Sequence, residues 1–195
     1  MKEVKITEGI SWIGAIDHDL RVFDIIMYTE FGTSYNSYIV EGSEKTCLVE
    51  TVKHTFTDRY IEFLKENKDL EKIDYILVSH TEPDHVGTIA KLIDYTPNAE
   101  IIGSAPAIRF LKEIANRPFE SIVVKEGDEI SLGDKTLKFI MAPFLHWPDS
   151  IYTYVKEDKL LFTCDSFGAH YALDDVFSSK IVNKDDYNKA LKYYF

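Results

Sequence analysis

Short apolar runs rich in β-branched and aromatic residues dominate the first fifty residues, and Gly, Asp and Ser separate them. This pattern is typical of strands joined by turns. It predicts strands at 10–16, 22–28, 38–41 and 46–50. At 55–67 the apolar residues change to a helical spacing of three to four positions, which predicts one helix.

The second half of the chain alternates strands and single helices. We expect a strand at 75–79, a helix at 86–95, a strand at 100–103 and a helix at 105–115, where Pro106 stands in the first turn. Further strands are predicted at 121–125, 129–132, 135–141, 151–156 and 159–164. Such an order favours a layered α/β architecture, in which helices cover the outer faces of a two-sheet sandwich.

A last helix is predicted after Asn183, which suits an N-cap and precedes two acidic residues at 185 and 186. Apolar residues at 187, 190, 191 and 194 fall on one face of this helix. The sequence stops at Phe195 without a Gly, Asn or Pro stop signal, and the apolar face of this helix continues up to that point. We therefore expect a fragment of a longer polypeptide.

Composition narrows the class of protein. The 195 residues carry a net charge of −11, with 45% apolar and 28% charged residues, as in one globular domain with a buried core. The acidic balance, without a Lys/Arg cluster, argues against a nucleic-acid partner. No apolar window approaches the ~20 residues of a membrane span. Two cysteines without a secretory signal do not make a disulfide framework, so we expect a cytoplasmic protein.

The strongest chemical signal is the run of His80, Glu82, Asp84 and His85 directly after a predicted buried strand. Imidazole and carboxylate groups at this spacing can converge on one side of a loop, and Pro83 limits the backbone between them. Two metal ions could share the cluster, with the first two residues on one ion and the last two on the other. The alternative is a solvated acidic loop with incidental histidines.

Two further candidate ligands follow strands of the second half. His146 comes after the strand at 135–141, and Asp165 directly ends the strand at 159–164. Side chains at several strand ends converge where loops gather. Taken singly, a His beside Trp147 is typical of aromatic packing, and an Asp after a strand is typical of a turn. Strand alternation points Cys164 away from Asp165, so we expect Cys164 to be buried filler rather than a soft ligand.

Three motifs together, HTEPDH at 80–85, HWPD at 146–149 and CDSFG at 164–168, resemble the metallo-β-lactamase-like domain of flavodiiron proteins. The similarity extends along the whole chain and includes the run at 33–38. It implies an αββα metallo-β-lactamase-like sandwich over residues 1–195, truncated at its C-terminus. The flavodoxin-like FMN domain of the family would then be absent.

The broader superfamily consists mostly of zinc hydrolases with His in place of Glu82. A carboxylate there adds a harder, negatively charged donor, which favours iron. The resemblance implies two iron ions, with His80, Glu82 and His146 on the first, Asp84 and His85 on the second, and Asp165 bridging them. Two metals ~3.5–4 Å apart can bind one diatomic ligand together. Flavodiiron proteins use such a pair to reduce O2 to water or NO to N2O with electrons from FMN.

The chain departs from the family pattern at a few positions. The second iron of the family takes one more His, which would lie beyond Phe195. His54 precedes a helix and is expected at the surface. His170 is expected beside the bridge, hydrogen-bonded to a ligand carboxylate, or equally on a loop surface. Trp147 is expected to wall the pocket, or equally to pack in the core. Asp24 lies in the segment where some family members carry a His near the site. The resemblance therefore does not establish whether this segment contacts the metal ligands in the present chain.

Neither a flavodoxin-type phosphate loop nor a Cys-x-x-Cys pair occurs in the sequence. The resemblance therefore implies an FMN-bearing domain or subunit, a rubredoxin-like electron donor and a head-to-tail homodimer. Three functions remain open at this point. They are a diiron O2 or NO reductase module, a non-catalytic O2-binding sensor, and a zinc hydrolase with Asp84 as the base.

Overall fold

The computed structural model describes the backbone of residues 1–194 and the side chains of residues 1–193. Tyr194, predicted on the apolar face of the last helix, has its side chain outside the described residues, as does Phe195. The strands are β1 Val4–Thr7, β2 Ile10–Trp12, β3 Ala15–Asp17, β4 Val22–Phe23, β5 Met27–Tyr28, β6 Thr33–Tyr35, β7 Tyr38–Glu41, β8 Thr46–Val49, β9 Tyr75–Leu77, β10 Glu100–Gly103, β11 Ser121–Val123, β12 Glu129–Ser131, β13 Thr136–Met141, β14 Ile151–Val155 and β15 Leu160–Phe162. The helices are α1 Thr57–Asn67, α2 Pro83–Val86, α3 Ile89–Leu92, α4 Ala105–Ala115 and α5 Lys184–Tyr194.

Two sheets form the sandwich. The larger has seven strands in the order β1-β2-β7-β8-β9-β10-β11, and the smaller has four in the order β12-β13-β14-β15. Strands β8 to β11 run parallel, because helical crossovers join them, whereas the smaller sheet is antiparallel throughout. Two short ladders, β3 with β6 and β4 with β5, lie beside them.

Strand alternation gives the larger sheet two buried faces. Leu48 and Ile76 lie in an apolar cluster with the residues of the helices. Their neighbours Val49 and Leu77 lie in a second cluster with Phe139 of the smaller sheet. Each fully buried side chain of this size contributes about 1.5–3 kcal/mol. The expected sandwich is therefore held together by one apolar layer between the sheets and another beneath the helices.

Helices cover the outer face of the larger sheet, which is one of the two outer faces that the sequence predicts them to cover. Tyr60 and Leu64 of α1, Leu92 of α3 and Leu111 of α4 are buried in the cluster on that side. The outward side chains of β13 and β14, at 138, 140, 152 and 154, remain partly exposed. None of the helices that the structure describes has the length and apolar character to span a bilayer.

Two predicted strands of the first half are interrupted. The segment 10–16 is divided into β2 and β3 at Gly14, where an added Cβ would lie 2.0 Å from the carbonyl oxygen of Tyr35. The segment 22–28 is a hairpin rather than one strand. Asp24 and Ile25 take positive φ values of 47° and 71°, so the chain reverses between β4 and β5. Apolar composition predicted strand in both cases but carried no sign of these breaks.

The predicted helix 86–95 is two short helices, α2 and α3, and the first begins earlier, at Pro83. Gly87 lies between them, and a Cβ there would be 2.4 Å from the backbone nitrogen of His54. This close approach of two backbones ends the first helix. Strand β15 ends at Phe162, two residues earlier than predicted, so Asp165 lies in a turn rather than at the strand end.

The site lies where strand ends from both sheets meet. The parallel strands β8 and β9 end side by side, with Val49 paired to Leu77. The backbone N–H of Ile151, at the start of β14, donates to the carbonyl of Ser79 with a distance of 2.8 Å. The loops after β9, β13 and β15 are thereby brought to one edge of the sandwich.

Candidate metal centre

The loop that carries His80 and Glu82 is fixed by a buried carboxylate. Oδ2 of Asp149 accepts hydrogen bonds from the backbone nitrogen and the hydroxyl of Thr81, at 2.9 and 2.7 Å. Asp149 is 1% exposed and Thr81 2%. Because Asp149 lies three residues after His146, this contact ties together the two loops that carry candidate ligands.

The first group of candidate ligands is tightly gathered. Oε2 of Glu82 lies 3.1 Å from Nε2 of His80 and 2.9 Å from Nε2 of His146. Oδ2 of Asp165 lies 3.6 and 3.2 Å from the same two nitrogens. One ligand atom from each of these four residues lies within 4.8 Å of all the others, so the group could hold a metal ion.

The second group shares Asp165 with the first. Oδ1 of Asp165, the other oxygen of the carboxylate, lies 2.9 Å from Nε2 of His85. The same nitrogen lies 3.7 Å from Oδ2 of Asp84. The two oxygens of one carboxylate thus face two separate sets of nitrogen and oxygen donors.

Asp84 provides a direct test of whether a cation fits. Its Oδ1 is buried and has no hydrogen-bond partner among the described residues. Burial, more than any neighbouring charge, raises the pKa of the Asp84 carboxyl to about 6. An unpaired carboxylate oxygen away from water is costly unless a cation compensates for it. The donor set of imidazoles and carboxylates therefore fits a pair of hard or borderline metal ions.

The pKa values of the candidate ligands show how strongly the groups depend on each other. Burial alone would lower the pKa of His80, but hydrogen bonds to Asp165, Cys164 and Glu82 raise it to about 11. The pKa of His85 also rises well above its usual value despite burial, because of the Asp165 charge. Burial opposes ionisation of Asp165, yet the positive charge of His85 keeps its pKa far below the usual range. Without metal, protons supply the positive charge that the carboxylates require.

Glu50 is a site residue that the sequence reasoning missed. Its Oε2 lies 3.2 Å from Nδ1 of His85, and its Oε1 accepts the backbone N–H of Ser79 at 2.7 Å. This carboxylate orients the His85 ring, so that Nε2 faces Asp165. The predicted strand 46–50 ends at Glu50, and an acidic residue in an apolar strand was the one signal of its role. The structure places Glu50 just past β8, with φ +59°.

The prediction for Cys164 is wrong. Strand alternation predicts a buried side chain that points away from Asp165, but Sγ of Cys164 lies 2.8 Å from Nδ1 of His80, and the residue is partly exposed. Strand alternation does not apply, because β15 has already ended and Cys164 adopts a positive φ of 53°. Ligand atoms of Cys164, His80, His85 and Asp165 also lie close enough together to hold a metal ion, in a set that differs from the two groups above.

The remaining predicted residues surround the same space. Trp147 lines the cavity over the site, and its ring centroid is 6.2 Å from that of His80. His170 lines it too, with Nδ1 3.0 Å from the hydroxyl of Thr33. Burial lowers the pKa of His170, against the pull of Asp165 and Glu82. His54 is exposed, as expected, and stands outside both groups of ligand atoms.

Asp24 reaches the site although the family's His is absent from this segment. Burial and a hydrogen bond to Glu82 raise the pKa of its carboxyl group. The hairpin turn between β4 and β5 therefore brings an acidic group to the cavity wall beside the first ligand group. In the sequence analysis, only the family resemblance placed Asp24 near the site. The uninterrupted strand predicted at 22–28 contains no turn that would bring Asp24 to the cavity.

The cavity over the two groups has a volume of about 600 Å³. Apolar side chains stand at its mouth and face solvent: Ile26 is 85% exposed, Phe144 75% and Leu145 52%. Exposed apolar side chains grouped around a polar cavity are typical of a surface that another protein surface covers. The site is thus polar at its floor and apolar at its rim.

Comparison with known proteins gives the family. The model for the "ODP family beta lactamase" domain matches residues 33–195. The flavo-diiron protein FprA2 of Clostridium acetobutylicum is 42% identical over all of this chain and 49% of its own length. A nitric oxide reductase of Moorella thermoacetica is 40% identical over 98% of this chain and 48% of its own length.

A solved structure agrees with the sequence relatives. The rubredoxin oxygen:oxidoreductase from the anaerobe Desulfovibrio gigas superimposes with a TM-score of 0.92 at 33% identity, over 99% of this chain and 48% of that one. The chain belongs to the ODP family of β-lactamase-like domains, the domain it shares with flavodiiron proteins. This confirms the resemblance and the metallo-β-lactamase-like fold. The chain spans about half the length of these relatives.

Proposed function

We propose that residues 1–195 form the diiron domain of a flavodiiron reductase of O2 or NO. The observation that carries the proposal is the position of Asp165, whose Oδ1 faces His85 at 2.9 Å and whose Oδ2 faces His146 at 3.2 Å. A carboxylate placed in this way suits a bridge between two metal ions. Glu82 supports iron, because the third donor of the first group is an oxygen where zinc hydrolases have an imidazole.

We assign the ligands as the resemblance implies. His80, Glu82 and His146 would hold the first iron, Asp84 and His85 would hold the second, and Asp165 would bridge them. A bound iron pair would supply two electrons, which suffices to convert two NO to N2O, whereas reduction of one O2 to water needs two more electrons from FMN. Glu50 holds the His85 ring with Nε2 toward the bridge, at a distance of 3.2 Å from its Nδ1. Asp149 fixes the loop between His80 and Glu82 through Thr81. These contacts orient the ligands before metal binds, which limits the reorganisation that binding requires.

The electron source belongs to the same proposal. An FMN-bearing domain or subunit delivers electrons at the apolar rim of the cavity, in a head-to-tail homodimer, and a rubredoxin-like protein reduces the flavin. The exposed Ile26, Phe144 and Leu145 support a docked partner at this mouth. The two free thiols, Cys47 and Cys164, suit the reducing cytoplasm.

Metal content and turnover test the proposal together. The chain is prepared anaerobically with iron and zinc both available, and both metals are measured. Reduced protein is then mixed with O2 or NO in the presence of a flavin domain from a relative. We expect bound iron and consumption of the gas. Near-stoichiometric zinc with esterase or thioesterase turnover that depends on Asp84 would favour a hydrolase. Bound iron with gas binding but no turnover would favour a sensor.

A further inference from the structure

Cys164 contacts the proposed metal centre, and the proposed function gives it no role. Its Sγ is 2.8 Å from Nδ1 of His80, and no other described residue hydrogen-bonds to that side of the imidazole. Cys164 is held there by a left-handed backbone conformation, with φ +53°, which non-glycine residues seldom adopt. The turn after β15 therefore directs a sulfur atom at the back of a ligand histidine.

The environment of the His80 ring determines where its proton lies. Nε2 faces the carboxylates of Glu82 and Asp165, at 3.1 and 3.6 Å, on the side where a metal would bind. A ring that binds metal through Nε2 carries its proton on Nδ1, and this N–H then donates to Sγ of Cys164. The His80 ring is 0% exposed, so solvent does not offer another acceptor.

The neighbouring ligand His85 has a different acceptor. Its Nδ1 lies 3.2 Å from the Glu50 carboxylate, whereas the acceptor for His80 is a sulfur, and the two ring centroids are only 4.1 Å apart. A carboxylate is a strong acceptor and makes its histidine a more basic ligand, while sulfur is a weak one. The two ligand histidines beside Asp165 therefore differ in the strength of the hydrogen-bond acceptor at Nδ1, which is a carboxylate for His85 and a sulfur for His80.

We propose that Cys164 is a positioning residue that accepts the Nδ1 hydrogen of His80 and fixes this ring for metal binding through Nε2. Because the sulfur is a weak acceptor, His80 is a weaker metal ligand than His85, and the two metal positions therefore differ in affinity. The inference rests on the proposed metal centre. It is separate from direct coordination, in which Cys164 would itself bind metal together with His80, His85 and Asp165.

Cobalt(II) binding to the full chain and two variants of Cys164 tests the proposal. Cys164→Ser keeps a hydrogen-bond acceptor, Cys164→Ala removes it, and Cys47→Ala removes the other thiol, which is buried between the sheets. Affinity is measured by competition with a chelator, and thermal unfolding shows that each variant is folded. Proton NMR of the cobalt protein reports the exchangeable Nδ1 hydrogen of a bound histidine.

We expect Cys164→Ala to weaken cobalt binding at one of the two metal positions ~10-fold. This is the lower end of the loss in metal affinity that follows when a residue hydrogen-bonded to a metal ligand is removed. Cys164→Ser, with an oxygen acceptor, should bind cobalt at least as tightly as the wild type and shift one exchangeable histidine signal, while Cys47→Ala leaves both unchanged. Wild-type affinity and spectra in Cys164→Ala would overturn the inference alone. A thiolate-to-cobalt charge-transfer band that disappears in Cys164→Ser would also overturn it, in favour of direct coordination. A wild-type chain that binds no cobalt would overturn the proposed metal centre and this inference with it.

Discussion

Glu82 is the residue at which this site differs from the nitrogen-rich sites of the superfamily. Its Oε2 lies within 3.1 Å of both His80 and His146, and the residue is 3% exposed. Burial alone would raise the pKa of Glu82, but the hydrogen bond from His80 and then the positive charges of the two histidines lower it. Glu82 therefore remains ionised and contributes a negative charge that an imidazole would not.

We predict that Glu82→His shifts the bound metal from iron toward zinc. The substitution replaces a hard oxygen donor by a borderline nitrogen and removes one negative charge from the first ligand group. Iron and zinc are measured after preparation in medium that supplies both, with Glu82→Gln as a variant that loses the charge without gaining an imidazole. An unchanged iron-to-zinc ratio in Glu82→His would show that the carboxylate does not set the selectivity.

Metal affinity should increase with pH. The pKa of His80 is raised to about 11, and the pKa values of His85 and His146 are raised as well. At neutral pH the metal-free site therefore holds a proton on the His80 ring that metal must displace, and the raised pKa values of the other two rings act in the same direction. Chelator competition between about pH 6 and 9 should show rising affinity, with proton release in calorimetry. An affinity independent of pH over this range would contradict the protonation of the metal-free site.

At the scale of elements, the contact between two loops holds the site together. Asp149, after β13, accepts two hydrogen bonds from Thr81, after β9, and Ser104 at the start of α4 donates to the carbonyl of Asp149 at 2.8 Å. Three elements thus meet at one buried residue. Their relative position determines the distance between His146 and the other ligands.

We expect Asp149→Ala to weaken metal binding ~10-fold and to reduce the free energy of unfolding by about 1–3 kcal/mol, because two buried donors on Thr81 lose their acceptor. Asp149→Asn retains a side-chain oxygen and should lie closer to the wild type in both measurements. Affinity is measured with cobalt, and stability by denaturant unfolding of the metal-free chain. Equal behaviour of the alanine variant and the wild type would show that this contact does not position the loop.

The sequence predicted elements best where one periodic pattern ran without interruption. Helix α4, at Ala105–Ala115, has the predicted bounds. The segment 10–16 was predicted too long, because its break depends on the close approach of Gly14 to a distant strand. The six proposed ligands stand in recognisable motifs, and the structure places their side chains around one space. Glu50 and Asp149 were missed as supports of the site, because only the assembled fold shows which distant donors they bind.

At the scale of the whole molecule, the exposed apolar rim marks where the cavity meets its surroundings. Ile26, Phe144 and Leu145 come from two different loops and surround one opening. Because this chain corresponds to about half of its relatives, the rim is where we propose that the flavin partner docks.

We predict that Phe144→Glu slows electron delivery from a flavin domain at least several-fold, since a charge at the rim opposes burial of the apolar contact. Iron content should not change, because Phe144 does not belong to either ligand group. Ile114→Glu is the matched control: Ile114 is 45% exposed and lies on α4. The rate of iron oxidation or reduction by the flavin domain is followed by stopped-flow absorption. Equal rates in both variants would place the docking surface elsewhere.

Iron X-ray absorption of the chain and of Asp165→Ala tests the central claim most directly. Asp165→Ala removes the shared carboxylate and should lose both metals, whereas Asp175→Ala, an exposed carboxylate ten residues away, should not. The iron-loaded wild type should show an iron–iron distance of ~3.5–4 Å, as in bridged two-metal sites. A wild-type spectrum without an iron–iron path, or full metal content in Asp165→Ala, would contradict the assignment of Asp165 as the bridge.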